Sequence, residues 1–278
     1  MIALVVLAAA GGGYWWWSTR PTPVAPPPAP AVTRQVAPAS VEQLPPPAAP
    51  AIQHPVDPGP SSTRFGLPPL DESDDYFKKA LDQLLGHKSV MSFLAIDGFA
   101  RRFVATVNNL GTDNTAAELW PVKRTAGRLV TDPRGGGTVI SGTNADRYAP
   151  FMRFVDGVNT EHAVALYRRL YPLFQRAYED LGFPGKYFND RVVEVIDHLL
   201  ATPDLAEPIK VKLVAADGVS KQIGAGGLYL FEDSTLEARS SGQKILLRVG
   251  RANTAKLKAK LTNIRGLLTK GSVARRSP

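Results

Sequence analysis

From residue 73 onward, apolar side chains recur every three or four positions, the spacing of helices buried along one face. The pattern predicts helices over 73–85, 90–109, 160–181, 187–200, 236–249 and 254–268, with Gly86, Gly111 and Gly182 as stops. RYAPFMRFV (147–155) adds another. Between 119 and 143 the period shortens: LWPV, GRLV and GTVI are β-prone pieces around the turn signal DPRGGG. IKVKLV (209–214) and LYLF (228–231) read as further strands. The expected fold class is mainly α with a small β component (α+β), as a single globular domain over 71–270.

The segment YFNDRVVEVIDHLL (187–200) is rich in groups that could do chemistry. At 100° per residue, Val192, Val193, Val195, Ile196, Leu199 and Leu200 fill an arc of about 160°. Asp190, Arg191, Glu194, Asp197 and His198 fill a separate arc of about 120°. A solvated amphipathic helix accounts for this pattern, with Asn189 as the expected N-cap and Asp190 in the first turn, where the helix dipole favours acids. The chemical reading takes Asp190, Glu194 and His198 as weak catalytic candidates, since Glu194 and His198 stand one turn apart and could share a metal or a proton. A Glu–His pair needs further ligands. His87 and His162 are scattered elsewhere in the domain, so no metal site and no cofactor is expected.

Tyr167, Tyr171, Phe174 and Tyr178 follow one another at helical spacing in the preceding helix. Such a stripe stacks sugars or bases, or forms core with hydroxyls at its rim, and core is the reading adopted. The last helix sets Leu257, Leu261, Ile264 and Leu268 on one face, surrounded by Lys256, Lys258, Lys260 and Arg265. Those four cations are the candidate contact for an anionic partner. The alternative is a helix docked by its leucines with its cations in water. RGGG (134–137) lacks the ending of a phosphate loop, GAGG (224–227) leads into a strand, and neither GxSxG nor HExxH occurs.

Composition divides the chain. Sixteen of the 24 prolines fall between 21 and 69, so 18–70 is expected to be a Pro/Ala-rich disordered linker, with His54 inert inside it. Ahead of it, residues 1–17 are apolar and end in YWWW. As a helix they span about 24 Å, short of a hydrocarbon core of about 30 Å, with the aromatics placed at the headgroups. A transmembrane anchor binding the lipid bilayer is expected, and a cleaved signal peptide is the alternative. The net charge of +8 is uneven. From Arg239 onward there are 11 Lys and Arg and no acid, and 271–278 is expected to be a basic disordered tail. Such an end either faces an anionic partner or is neutralised within the chain, with LDESDD (70–75) as the obvious internal acid. The absence of cysteine excludes disulfides, thiolate metal sites and a cysteine nucleophile.

The run LYRRLYPLFQRAYEDLGFPGKYFNDRVVEVIDHLLATP, with NADRYAPF before it and SGQKILLRVG after it, resembles a bacterial domain-of-unknown-function family, number 3014, over about 67–268. The resemblance implies an architecture of membrane helix, proline-rich linker and one domain, and supplies no activity and no functional residues. It also favours an inner-membrane, single-pass protein with its domain in the periplasm, although Arg20 taken alone points the other way. The functional expectation is a non-enzymatic binding or assembly module for a protein or anionic envelope partner. The alternatives are a hydrolase-like enzyme using Asp190, Glu194 and His198, or a cytoplasmic binder of nucleic acid or lipid through the basic helix.

Overall fold

The structure, a computed structural model, describes residues 51–57, 66–113, 117–206, 208–214 and 228–273. The expected anchor (1–17), most of the expected linker, GAGG, and residues 274–278 of the expected tail lie outside them.

Nine α-helices are found among the described residues: α1 (Asp74–Leu85), α2 (His87–Phe93), α3 (Phe99–Leu110), α4 (Ala149–Gly157), α5 (Thr160–Asp180), α6 (Phe188–Leu200), α7 (Ser234–Glu237), α8 (Ser241–Arg248) and α9 (Arg251–Val273). Four strands, β1 (Thr131–Arg134), β2 (Gly137–Ile140), β3 (Lys210–Val214) and β4 (Leu228–Phe231), form one antiparallel sheet in that order. The fold is mainly helical with a small sheet, in one globular domain. Among the described residues, no helix is long and apolar enough to cross a membrane.

The helical core is aromatic at its centre. Phe174 of α5 lies 5.3 Å, ring centre to ring centre, from Phe77 of α1 and 4.9 Å from Phe103 of α3. Phe188 of α6 meets Tyr178 of α5 at 5.2 Å. Such tilted pairs add about 0.5–1.5 kcal/mol each beyond their buried area. The apolar face of α6 closes this core: Val192, Val193, Val195, Ile196 and Leu199 are all buried. Against it packs α9, whose Leu257, Leu261, Ile264 and Leu268 are buried in the same cluster. The sheet makes a second, smaller core from Val211 and Phe231 with Leu236 and Leu247. The outer edge of β4 is sealed by side chains, since Phe231 N donates to Glu237 Oε2 (2.8 Å) and Arg248 Nη2 donates to Tyr229 O (3.2 Å). The buried Lys244 donates to Glu237 as well, at 2.9 Å to its carbonyl and 3.1 Å to its carboxylate.

Three departures from the sequence expectations matter. The helix expected over 90–109 is two helices, broken at Gly98, whose positive φ of 60° a residue with a Cβ rarely adopts. Asp74 fixes the break by accepting from Gly98 N (2.8 Å) and Phe99 N (3.2 Å), the open first amides of α3. DPRGGG joins β1 to β2 as a hairpin in which Gly135 and Gly136 take the two positive-φ turn positions, whereas LWPV and GRLV form no strand beyond the single bridge of Leu94 to Val122. Finally, residues 51–57 and 66–70, within the expected disordered linker, lie against the domain, with Val56, Leu67 and Leu70 packed on its core. A proline-rich stretch keeps free main-chain groups between its prolines, and here those groups have partners.

Candidate functional site

About 12 Å of helix, at 1.5 Å per residue, separates Asp190 from His198. The three groups considered for joint chemistry are bonded apart. The exposed Glu194 pairs with Arg191 Nη1 at 2.9 Å. Arg191 also donates to the carbonyl of Asn108 (3.0 Å), satisfying an open group in the last turn of α3. His198 Nε2 lies 2.8 Å from Ser240 Oγ, the N-cap of α8, and its own carbonyl accepts from Gln243 Nε2 at 3.0 Å. Asp190 accepts two adjacent main-chain amides from the N-terminal segment, Gln53 N at 3.0 Å and His54 N at 2.7 Å.

The cations of α9 are likewise bonded inside the domain. Lys256 Nζ meets Asp156 at 3.1 Å. Lys258 Nζ donates to the carbonyl of Thr202, just past the end of α6, and Lys260 Nζ to that of Val158 (2.6 Å), the C-cap of α4. Cations are favoured at helix C-termini, where carbonyls lack partners. Arg265 forks onto Asp197, with Nη2 to Oδ2 at 2.9 Å, an arrangement that holds its guanidinium above its ordinary pKa. LDESDD is not their counter-charge: its Asp71 pairs with Arg101 of α3 at 2.7 Å, and its Asp74 caps that helix.

What the fold does bring together is a clamp at the N-terminal end of α6. The helix is capped at Tyr187 rather than at Asn189, so Asn189 and Asp190 lie within its first turn. The fully buried Asn189 accepts from Tyr167 Oη at 3.0 Å and donates from Nδ2 to the carbonyl of His54 at 2.8 Å. Its own amide donates to Tyr171 Oη at 3.2 Å, and Tyr171 in turn donates to Gln175 Oε1 at 2.8 Å. Tyr187 Oη accepts from Val56 N at 2.7 Å. Burial pushes the hydroxyls of Tyr167 and Tyr171 well above their ordinary range, so both remain protonated donors at neutral pH.

The tyrosine stripe is therefore core, and two of its hydroxyls position the clamp. Sequence reasoning missed Tyr187, the network behind Asn189 and the role of residues 53–56. The only signal was Asn189 beside Asp190, which is equally a helix start. Among the described residues, no group of three or more His, Asp and Glu side chains is placed to hold a metal.

Over residues 99–265, more than half of the chain, the sequence matches the family described as "Protein of unknown function (DUF3014)". The chain belongs to DUF3014. Searches of curated proteins and of solved structures find no match. The DUF3014 match takes in α3, the sheet, α5, α6 and most of α9, and so the whole receptor side of the clamp. Residues 51–57, which fill that clamp, lie outside it.

Proposed function

We propose that this DUF3014 protein is a bacterial membrane-anchored envelope protein whose domain is a non-enzymatic binding or assembly module for a protein partner. The observation that carries the reading is the clamp itself: Asp190, Asn189 and Tyr187 grip the backbone of the proline-rich segment that leads toward residues 1–17. A domain fastened to its own tether is held at a defined point of that tether, which suits assembly more than turnover. The bonding of Glu194 to Arg191 and of His198 to the α8 cap supports the same reading over a hydrolase, because each group already has a structural partner. The internal bonding of Lys256, Lys258, Lys260 and Arg265 shifts the proposed contact away from an anionic surface. In this reading residues 1–17 cross the inner membrane and the domain stands in the periplasm. The test is a reporter fused after Pro278 that is active only outside the cytoplasm. Activity is expected; an inactive fusion, with a cytoplasm-specific reporter active at the same position, would overturn the placement.

A further inference from the structure

We infer that the N-terminal end of α6 is a binding site for an extended, proline-containing peptide, and that the chain keeps it filled with its own residues 51–57. The inference rests on the binding-module reading and names the partner class.

All four hydrogen bonds at the clamp go to main-chain atoms of the segment: Gln53 N, His54 N, His54 O and Val56 N. None of these four goes to a side chain. His54 Nδ1 is buried and has no hydrogen-bond partner among the described residues, so no hydrogen bond to that atom selects for histidine. Ile52 is 54% exposed and is not read either. The Val56 side chain packs against the core. The intervening Pro55 has no amide to satisfy and a fixed φ, which lowers the entropy lost on docking. The pattern required of an occupant is two consecutive residues with free N–H groups, then proline, then a small aliphatic residue.

The receptor side is braced by bonds that do not involve the segment. Tyr167 Oη occupies the carbonyl of the Asn189 side chain, which leaves its amide nitrogen for the His54 carbonyl. Tyr171 and Gln175 fix the backbone around it: Asn189 N donates to Tyr171 Oη, and Phe188 N donates to Gln175 Oε1 at 2.8 Å. A carboxylate receiving two adjacent amides makes charge-assisted bonds, roughly twice as strong as neutral ones. A site that reads mainly backbone accepts other chains that carry this pattern. The covalently linked occupant competes at an effective concentration in the millimolar range, so a partner peptide must displace it.

The experiment uses the full chain in detergent micelles and a fluorescein-labelled peptide of sequence AIQHPVD, read by fluorescence anisotropy. Three proteins are compared: wild type, Gln53→Pro with His54→Pro, and that double variant with Asp190→Ala. Proline at 53 and 54 removes both amides that Asp190 accepts and leaves the receptor side intact. The double variant is expected to bind the peptide at least tenfold more tightly than wild type, and Asp190→Ala to abolish the gain. A double variant with unchanged circular dichroism and melting temperature that binds no better than wild type would overturn the inference and leave 51–57 as a structural strap. So would a gain that survives Asp190→Ala. Should the proline variant not fold, Val56→Asp carries the same comparison with the same outcomes. Neither result touches the topology reporter, so the two readings fail separately.

Discussion

At its C-terminal end α6 meets other helices, and at its N-terminal end it meets an extended backbone. Asp197 pairs with Arg265 of α9, His198 bonds the cap of α8, and the Leu199 side chain presses on Gly242 of α8. Eight residues earlier, the same kinds of polar group, Asn189 and Asp190, reach the main chain of residues 53 and 54, with Asn189 braced from behind by Tyr167 of α5. The difference lies in what resists substitution. Helix against helix is held by close packing, which fills space and tolerates no added atom. Helix against extended segment is held by hydrogen bonds, which are worth about 1 kcal/mol each on balance but cost more when one buried partner is left alone. Changes at the first contact should loosen the whole domain, and changes at the second should chiefly free the segment.

The largest effect is therefore expected from Gly242→Ala. A Cβ there would stand 2.5 Å from Leu199 Cδ2 and 2.7 Å from the carbonyl oxygen of Leu110. The leucine can turn, but the carbonyl belongs to the last turn of α3 and cannot. Overpacking of this kind costs about 3 kcal/mol, of which the better helix propensity of alanine returns at most about 1. Urea unfolding should show the loss as a lowered midpoint at constant slope. An unchanged midpoint would mean that α3, α6 and α8 pack more loosely than the close approach implies.

Asn189→Ala tests the other end. It strands the buried Tyr167 hydroxyl and removes the donor to the His54 carbonyl, for a cost of about 2 kcal/mol. Adding Tyr167→Phe removes the stranded group as well, so the double variant should be more stable than Asn189→Ala alone. Amide exchange should show Gln53, His54 and Val56 losing protection in both, with α3 and α9 protected as before. Equal loss of protection across the domain would erase the contrast between the two ends.

The sequence makes the same division visible. The helices that became α5 and α6 were legible to within a residue or two, because their apolar faces repeat every three to four positions and glycines or caps mark their ends. The break at Gly98 was not, since it depends on the carboxylate of Asp74, which sits 24 positions away and reads as part of a different helix start. The docking of 51–57 left no pattern at all. It uses backbone groups that every non-proline residue owns, and the surrounding prolines make the composition that of a spacer. At the candidate site the sequence marks Asp190, but for chemistry with Glu194 and His198 instead of for holding a strand of chain. The partner of a charged side chain is set by tertiary placement, so the cations of α9 were visible and Asp156, Asp197 and two helix-end carbonyls were not.

The smallest expected effect sharpens the comparison from the helix side. Arg265→Ala removes the fork onto Asp197, where both side chains are more than a third exposed. Exposed pairs contribute up to about 1 kcal/mol even with good geometry, and less once salt shortens the screening length to about 3 Å at 1 M. The urea midpoint should fall slightly in dilute buffer and coincide with wild type in 1 M sodium chloride. The leucine stripe of α9 is untouched by this change, and Leu257, Leu261 and Ile264 are what hold it to α6. A loss above about 2 kcal/mol, persisting in high salt, would mean that charge and not packing fastens α9. In that case both ends of α6 would be polar contacts, and the contrast between them would vanish.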